Sequence, residues 1–384
     1  MQSIAYDKWS RIGSARERGV FMNISIRDYL SAHFHYFRDL IILVQKFMLV
    51  YRNAPSVLLN IMKRKYPFEA ITAHGELEMI SSYREALYNV LISRTPTTSN
   101  YHIDLDFTNG VATVGPKLCL QDVSSNLKLY DSINNGDIFG IFMDGEYDRL
   151  DVAGKTVIDV GANIGDSAIY FICRGASRVI AIEPFPRNYE TAMKNILANN
   201  LRDKITLLLA GCAGISANIT VDANNHSPTN QLTEVKHGIK VRLRTLQEIM
   251  DENNVSERAI LKMDCEGYEY DIILSATKET LQRFQQIQIE YHYGYKNLKK
   301  RLEECGFKVE VTRPEMPSLL LRYLRGLSRL IGRQESQKGI DDTRQSKYAS
   351  KQKSIYESGY LGYLFATNAS PRASGIPRLD IGCK

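Results

Sequence analysis

Short apolar runs alternate with segments of helical periodicity over residues 155–312, and short polar links join them. Repeated strand–helix alternation of this kind specifies an α/β sandwich with a mainly parallel sheet. A hairpin, 219–222 with 239–243, interrupts the alternation, and one more strand follows a long insertion. The other strands are predicted at 156–160, 178–183, 204–210, 259–264, 286–292, 308–312 and 360–367.

The first 150 residues have a different pattern. Apolar residues at 40, 43, 47 and 50 recur at helical spacing, which predicts a helix. The apolar stretch 40–51 is too short for a bilayer span of about 20 residues, so we expect a buried helix. Between 101 and 147, apolar alternations separated by Asn-Gly and Gly-Pro turns predict strands.

These patterns divide the chain into six segments. We predict 1–100 as a helical N-terminal domain, 101–150 as a β-rich connector, 151–316 as the main α/β domain, 317–353 as a basic insertion and linker, 354–370 as the final strand of the α/β domain, and 371–384 as a flexible tail.

The composition is that of an ordinary globular protein. Of 384 residues, 44% are apolar and 24% are charged, which allows one substantial core and a smaller domain. The six cysteines form no C-x-x-C pair, so neither a zinc site nor a disulfide framework is indicated. Reduced cysteines and the absence of signal-peptide features at the first residues predict a cytoplasmic protein.

The net charge of +6 is concentrated in one segment. Residues 313–353 contain ten Lys or Arg and four Asp or Glu. Within 317–333, apolar residues at helical spacing lie opposite four arginines, a pattern suited to peripheral contact with an anionic membrane or to covering an acceptor site. An ordinary surface helix is the alternative. The scarcity of aromatic residues in the basic stretch argues against nucleic-acid binding.

Candidate chemistry begins where the first strand of the α/β domain ends. The sequence Asp159-Val-Gly-Ala-Asn-Ile-Gly-Asp166 leads directly into a helix, and its glycines, Gly161 and Gly165, permit a tight turn and close approach of a ligand. Glu183 closes the second strand 24 residues after Asp159. That spacing suits a carboxylate that meets the ribose hydroxyls of a nucleotide.

The same loop departs from the fingerprint of dinucleotide-binding proteins. Asn163 and Asp166 occupy the places of its second and third glycines. Asp166, at the start of the helix, would repel a diphosphate. A nucleoside without phosphates that carries a cationic sulfonium and an amino-acid tail fits better, and S-adenosyl-L-methionine (SAM) is such a nucleoside.

The motifs together resemble the FkbM-type methyltransferases. They are Asp159–Asp166, Glu183–Glu190, Lys262–Glu269 and Ile289–His292, and the resemblance covers about 136–308. It implies the Rossmann-like class I SAM-methyltransferase fold with a seven-stranded sheet, SAM as donor, and a hydroxyl acceptor on a small molecule or glycan. The chain lacks the acid that family members often have after strand three, where Ala210–Gly214 stands instead.

Transferred by position, the resemblance gives each motif residue a role. Asp159, Gly161, Asn163 and Gly165 would hold the methionine part, together with Asp166, and Glu183 the ribose. Asp264 and Glu266, which follow the fourth strand, would lie at the active-site edge beside the cofactor tail.

Methyl transfer requires alignment of the acceptor and removal of its proton. Asp264, Glu290 and His292 are the candidate general bases, because strands four and five should be neighbours in the sheet. We predict no metal site, since the spacing of these residues matches no metal motif, although they are suitable ligands and a divalent ion is the alternative. The oligomeric state is not indicated by the sequence.

Two other classes of function compete with methyl transfer. A non-catalytic binding or scaffold protein with the same fold would be expected to have lost parts of the cofactor loop, yet Asp159, Gly161, Gly165 and Glu183 are all present. An NAD-dependent oxidoreductase is opposed by Asn163 and Asp166. A SAM-dependent methyltransferase, acting on a hydroxyl of a sugar, glycolipid or related metabolite, is therefore the function predicted from the sequence.

Overall fold

A computed structural model describes residues 38, 41–63, 65–92, 101–116, 126–224, 232, 234–255, 258–312 and 362–368. The predicted basic insertion and linker, 317–353, and the tail, 371–384, lie outside the described residues. None of the helices in the described ranges is long and apolar enough to cross a membrane.

The main sheet has nine strands among the described residues. The strands are β6 (Thr156–Val160), β7 (Arg178–Glu183), β8 (Ile205–Cys212), β9 (Ala217–Val221), β10 (Ile239–Arg244), β11 (Ala259–Met263), β12 (Phe284–Tyr291), β13 (Phe307–Val311) and β14 (Gly362–Asn368). Their order across the sheet is β13-β14-β12-β11-β6-β7-β8-β10-β9.

The pairing of these strands confirms the predicted fold class. Strands β6, β7, β8, β11 and β12 pair in parallel, and β14 inserts antiparallel between β12 and β13. These seven strands form the doubly wound sheet that the sequence predicted. The predicted hairpin is β9–β10, which extends one edge of the sheet because β10 pairs in parallel with β8.

The helices cover both faces of the sheet. Those of the α/β domain are α5 (Asp166–Cys173), α6 (Pro186–Ala198), α7 (Leu246–Glu252), α8 (Glu269–Ser275), α9 (Lys278–Gln282) and α10 (Lys296–Glu304). The strands at the centre of the sheet are apolar on both faces because both are covered. One core lies against α7, α8 and α10, and the other lies between the sheet, α5 and the strands that precede it.

The region before residue 100 contains helices, as predicted, and also a hairpin. The helices are α1 (41–50), α2 (Ala54–Lys63) and α3 (Tyr83–Ile92), and the antiparallel hairpin is β1 (Phe68–Ile71) with β2 (Leu77–Ile80). The expectation that α1 is buried is wrong for the described structure. Phe47 is buried, but Ile41 is 59% exposed and Met48 is 61% exposed.

The predicted β-rich connector forms a three-stranded antiparallel sheet. It contains β3 (Tyr101–Asp106), β4 (Val111–Pro116) and β5 (Leu127–Tyr130), followed by the short helix α4 (Ser132–Asn135) and a π-helical turn, Phe139–Met143. Asn195 of α6 accepts a hydrogen bond from the Tyr130 backbone N–H, at 2.7 Å. The connector therefore packs directly on the α/β domain and shares one of its cores.

A buried ion pair links the ends of β6 and β11. Lys262 Nζ lies 3.0 Å from Asp159 Oδ1 and donates a hydrogen bond to the Gly161 carbonyl oxygen at 2.8 Å. Ser167 Oγ donates to the other oxygen of Asp159. Burial disfavours the charge of Lys262, but its attraction to Asp159 and Asp264 outweighs this and raises its pKa.

Removing one partner of this pair should destabilise the fold strongly. Lys262→Met leaves Asp159 buried without its counter-ion, so we expect the free energy of unfolding to fall by about 3–5 kcal/mol. Urea denaturation measures the change. The double variant Lys262→Met/Asp159→Asn should lose less than Lys262→Met alone, because no uncompensated charge remains.

The control for this prediction is an exposed pair. Lys299 Nζ lies 3.7 Å from Glu303 Oε1 on the surface of α10. Lys299→Met should change stability by less than about 1 kcal/mol. An equal, small effect of Lys262→Met would contradict the structural role of the buried pair.

Candidate active site

A cavity of about 350 Å³ opens at the carboxyl ends of the central strands. This is the edge at which doubly wound sheets bind ligands. Its walls come from the loops after β6, β7 and β11, from the ends of β8 and β12, from the start of β14, from Leu232 between β9 and β10, and from the segment before β6. Residues that line it include Arg84, Asp137, Glu146, Asn163, Asp166, Glu183, Cys212, Leu232, Lys262, Asp264, Glu266, Tyr268, Glu290 and Tyr363.

The loop after β6 forms the predicted tight turn. Gly161, Asn163 and Gly165 all have positive φ angles, of 80°, 47° and 82°. A Cβ atom on Gly161 would lie 1.7 Å from the Asp264 carbonyl oxygen, so the two strand-end loops can approach only with glycine at this position. The turn leads directly into α5.

Glu183 is fixed at the end of β7 with its carboxylate against the cavity. The carboxylate accepts hydrogen bonds from the backbone N–H groups of Asn163 and Phe185, both at 2.9 Å. The side chain is 3% exposed, and burial raises its pKa to about 8. The carboxylate predicted to meet a ribose therefore lies beside the glycine turn.

Asn163 contributes an acceptor that has no partner. Its Nδ2 donates to the Asn135 carbonyl oxygen, but its buried Oδ1 has no hydrogen-bond partner within the described structure. Buried polar atoms without partners are rare in folded proteins, and in a cavity they mark places where a ligand donor can bind. Asn163 is thus suited to receive an ammonium or hydroxyl group.

Asp166 and Asp159 have different positions, although the sequence placed both at the cofactor. Asp166 lines the cavity and accepts a hydrogen bond from the Asp137 backbone N–H at 3.0 Å, and burial raises its pKa to about 6. Asp159 is fully buried beneath the loop in its ion pair with Lys262. Its contact with a cofactor stays a prediction, and its position indicates support of the loop.

The three candidate general bases converge at the other end of the cavity. A carboxylate oxygen of Asp264, one of Glu290 and a ring nitrogen of His292 all lie within 4.8 Å of one another. Asp264 and Glu290 line the cavity, whereas His292 is 2% exposed and lies behind them. Glu266, which has a φ of 55°, also reaches the ring: its Oε2 is 3.4 Å from His292 Nε2.

Glu269 orients His292 from the buried side. His292 Nδ1 lies 3.1 Å from Glu269 Oε1. Burial alone would lower the pKa of His292, but Glu269 and the other carboxylates around the ring raise it well above its ordinary value. Glu269 Oε1 also accepts backbone N–H bonds from Cys265 and Gly267. Burial alone would raise the pKa of Glu269, but the imidazole and these N–H groups hold it below the ordinary value. Nε2 therefore faces Asp264 and Glu266.

Carboxylates dominate the electrostatics of the cavity. Burial raises the pKa of Glu146 and of Glu266 to about 8, and the neighbouring carboxylates add to this effect. Burial and the charge of Asp264 raise the pKa of Glu290 well above its ordinary value. A cation in the space between these acids would lower their pKa values and favour their ionised forms.

Several residues of the site were not identified from the sequence. Lys262 and Glu269 belong to the Lys262–Glu269 motif, but the motif alone did not reveal that one holds Asp159 and the other His292. Glu146 and Arg84 come from segments far from the strand ends. Arg84 lies in α3, and its Nη1 donates to the Ile133 carbonyl oxygen at 2.6 Å at the cavity.

The cavity wall near β8 is apolar. In this region the chain lacks the acid that FkbM-type methyltransferases often have after strand three. Phe185, Cys212 and Leu232 line the wall, with the ring of Tyr268, whose hydroxyl donates to the Leu232 carbonyl oxygen at 2.6 Å. We call these four side chains the apolar slot, and an aromatic ring can pack against them. Recognition of an adenine base here would rely on stacking and shape.

Residues 159–309 match the family model of the methyltransferase FkbM domain. The ribosomal protein L11 methyltransferase of Vibrio cholerae is 33% identical over 94 residues, which are 24% of this chain and 32% of that protein. The corresponding protein of Aeromonas hydrophila is 40% identical over 62 residues, which are 16% of this chain and 21% of that protein. The chain therefore spans a third or less of the curated relatives that it matches.

Among solved structures, the methyltransferase FkbM of Methylobacillus flagellatus is 17% identical, with a TM-score of 0.33, and the match covers 44% of this chain and 43% of that chain. The family model spans the glycine turn, Glu183, the Lys262–Glu269 motif and the end of β12. Residues 159–309 of this chain form an FkbM-type methyltransferase domain.

Proposed function

We propose that the protein transfers a methyl group from SAM to a hydroxyl group of a sugar, glycolipid or related metabolite. The observation that carries the proposal is the position of Glu183. Its buried carboxylate lies beside the glycine turn in a cavity that is also lined by the apolar slot. A ribose hydroxyl can donate to such a carboxylate while the attached base enters the slot.

The residues of the cavity suit each part of SAM. Glu183 would hold the ribose, and the slot around Phe185 and Tyr268 would hold the adenine. Asn163, whose Oδ1 has no partner in the described structure, would accept a hydrogen bond from the ammonium group of the tail. Arg84 is available for the tail carboxylate, since it lies at the wall close to Asp137.

The absence of phosphate recognition supports a nucleoside over a dinucleotide. The start of α5 presents the buried carboxylate of Asp166 rather than a glycine. A pyrophosphate there would meet a negative side chain in place of the second and third glycines of the dinucleotide fingerprint. The acidic cavity suits the positively charged sulfonium of SAM.

When bound, SAM supplies an electrophilic methyl group attached to a positively charged sulfur. The acceptor oxygen forms a bond to this carbon as the carbon–sulfur bond breaks, and the hydroxyl proton passes to a base. We propose Asp264 as that base, because it lines the cavity and its Oδ1 has no hydrogen-bond partner within the described residues. His292 lies behind it and orients it electrostatically.

Aromatic side chains beside the carboxylates support a polyhydroxylated acceptor. Tyr147 and Tyr363 line the cavity next to Glu146 and Glu290. Flat rings with hydrogen-bonding acids around them suit the apolar faces and the hydroxyl groups of a sugar.

We also propose that the basic segment 317–333 contacts an anionic membrane, which would bring the enzyme to a lipid-linked acceptor.

Loss of the Glu183 charge should weaken cofactor binding. Glu183→Gln keeps the shape of the side chain but removes a charged acceptor, so we expect SAM to bind roughly tenfold to a hundredfold more weakly. Calorimetric titration of the purified chain measures the affinity at about pH 9, where Glu183, with a pKa of about 8, is mostly ionised. Glu190→Gln, at an exposed position on α6, is the control and should leave the affinity unchanged. Equal affinities of both variants would remove Glu183 from the site.

The affinity for SAM should depend on pH through Glu183. Burial raises the pKa of Glu183 to about 8, so the group loses its proton between about pH 7 and pH 9. The ionised form accepts ribose hydrogen bonds and attracts a cation more strongly. The ratio of wild-type to Glu183→Gln affinity should therefore rise from pH 6 to pH 9. A change in the protonation of SAM itself affects both proteins equally and cancels in this ratio. A ratio that does not change with pH would contradict the assignment of Glu183 to the ribose.

Asp264 should affect turnover far more than cofactor binding. With an acceptor identified by a screen of sugars, Asp264→Asn should reduce kcat by about 10²-fold or more. Its affinity for SAM should change by less than about threefold. Production of S-adenosylhomocysteine measures turnover, and Glu190→Gln, at an exposed position on α6, is the control and should leave turnover unchanged. Unchanged turnover of Asp264→Asn would exclude Asp264 as the base.

A further inference from the structure

We propose that Asp264, Glu290 and His292 form a binding site for a divalent cation, of the Mn²⁺ or Mg²⁺ type, that receives the oxygen of the acceptor. This inference deepens the proposed function and rests on it for the role of the cation, although the site itself can be tested separately. From the sequence we predicted no metal site, with a divalent ion at these residues as the alternative.

The ligand geometry is the first observation. One atom from each of the three side chains lies within 4.8 Å of the other two. A cation with ligand distances of about 2.1–2.4 Å places any two of its ligands within roughly 4.8 Å of each other. Two carboxylates and one imidazole, with remaining positions open to the cavity, form a donor set suited to Mn²⁺ and Mg²⁺.

The orientation of His292 is an independent observation. His292 Nδ1 lies 3.1 Å from Glu269 Oε1, so the other ring nitrogen, Nε2, is directed at Asp264 and Glu266. Nε2 lies 3.8 Å from Asp264 Oδ1 and 3.4 Å from Glu266 Oε2, both longer than a normal N–H···O hydrogen bond. Nε2 and the two carboxylates therefore converge on one space, in which a bound cation would have all three groups as neighbours.

Asp264 provides the third observation. Its Oδ1 is buried and has no hydrogen-bond partner within the described structure, although it lies at the wall of the cavity. A buried carboxylate oxygen without a donor is costly unless a cation or another donor meets it. Asp264 Oδ1 is also the oxygen that faces His292 Nε2. The orphaned atom and the histidine therefore point to the same space.

The supporting residues match a common feature of metal sites. Histidines that bind metals usually donate their other ring N–H to a carboxylate, which fixes the ring and increases its basicity. Glu269 has this position, and the backbone N–H groups of Cys265 and Gly267 hold its carboxylate in place. A cation on the other nitrogen would replace the proton that the ring holds in its absence.

The cation would prepare the acceptor for methyl transfer. An acceptor hydroxyl bound to it would become more acidic. With Oδ1 of Asp264 on the cation, the hydroxyl proton would pass more easily to the other carboxylate oxygen of Asp264 as the acceptor oxygen attacks the methyl carbon. Glu146 and Tyr363, which line the cavity beside Glu290, lie where a second oxygen of the acceptor can bind. The cation therefore favours acceptors with neighbouring hydroxyl groups.

Titration with Mn²⁺ tests the site without any need for an acceptor. The full-length protein, freed of metal with a chelator and dialysed, should reduce the paramagnetic resonance signal of free Mn²⁺ with a stoichiometry of one. Glu290→Gln and Asp264→Asn should each weaken Mn²⁺ binding by about tenfold or more. Glu146→Gln removes a carboxylate of the same cavity that is outside the ligand set, and should weaken it by less than about threefold.

Three outcomes would overturn the proposal: no binding of Mn²⁺ at millimolar concentration, an equal loss in Glu146→Gln, or unchanged binding in both ligand variants. The first would mean that the cluster holds a proton instead, and the second that Mn²⁺ senses only the general negative charge. SAM affinity, measured by calorimetry on the same samples, keeps this test separate from the proposed function. SAM binding without Mn²⁺ binding would overturn only the metal site.

Discussion

The buried ion pair between Lys262 and Asp159 is the interaction on which the site depends. It joins the ends of the two central parallel strands, β6 and β11, and its ammonium group also binds the carbonyl oxygen of Gly161. Because one end of each strand is fixed in this way, the glycine turn and the loop that carries Asp264 and Glu266 lie against each other. A Cβ on Gly161 would collide with that loop, so the contact specifies glycine as well.

From this junction the cavity divides into two chemical halves. Towards β7 and β8 it offers one buried carboxylate, Glu183, and an apolar slot. Towards β12 it offers several acids around His292. The first half suits a nucleoside, and the second suits a positive charge and the removal of a proton. Their placement on one sheet edge connects the binding of a methyl donor to the activation of an acceptor.

The sequence predicted the α/β sheet and the convergence of Asp264, Glu290 and His292, because these follow from strand periodicity and from the carboxyl ends of parallel strands. It could not predict how each motif residue lies relative to the cavity. Asp159 was predicted to contact the cofactor because it lies at the end of β6, and its buried pairing with Lys262 was not predicted because Lys262 is on another strand. Arg84 and Glu146 come from segments outside the strand–helix alternation, and no local sequence pattern shows that these segments pack against the cavity. The strands β1 and β2 have four residues each, which is too short for a clear alternation of apolar and polar residues.

We infer that the cavity binds SAM rather than a dinucleotide. Calorimetric titrations of the purified chain with SAM, with S-adenosylhomocysteine and with NAD, carried out in parallel, measure this directly. We expect one site that binds SAM and S-adenosylhomocysteine. NAD should give no heat of binding, because the buried Asp166 lies where a pyrophosphate would lie. Binding of NAD, or failure of both adenosyl compounds to bind, would contradict this inference.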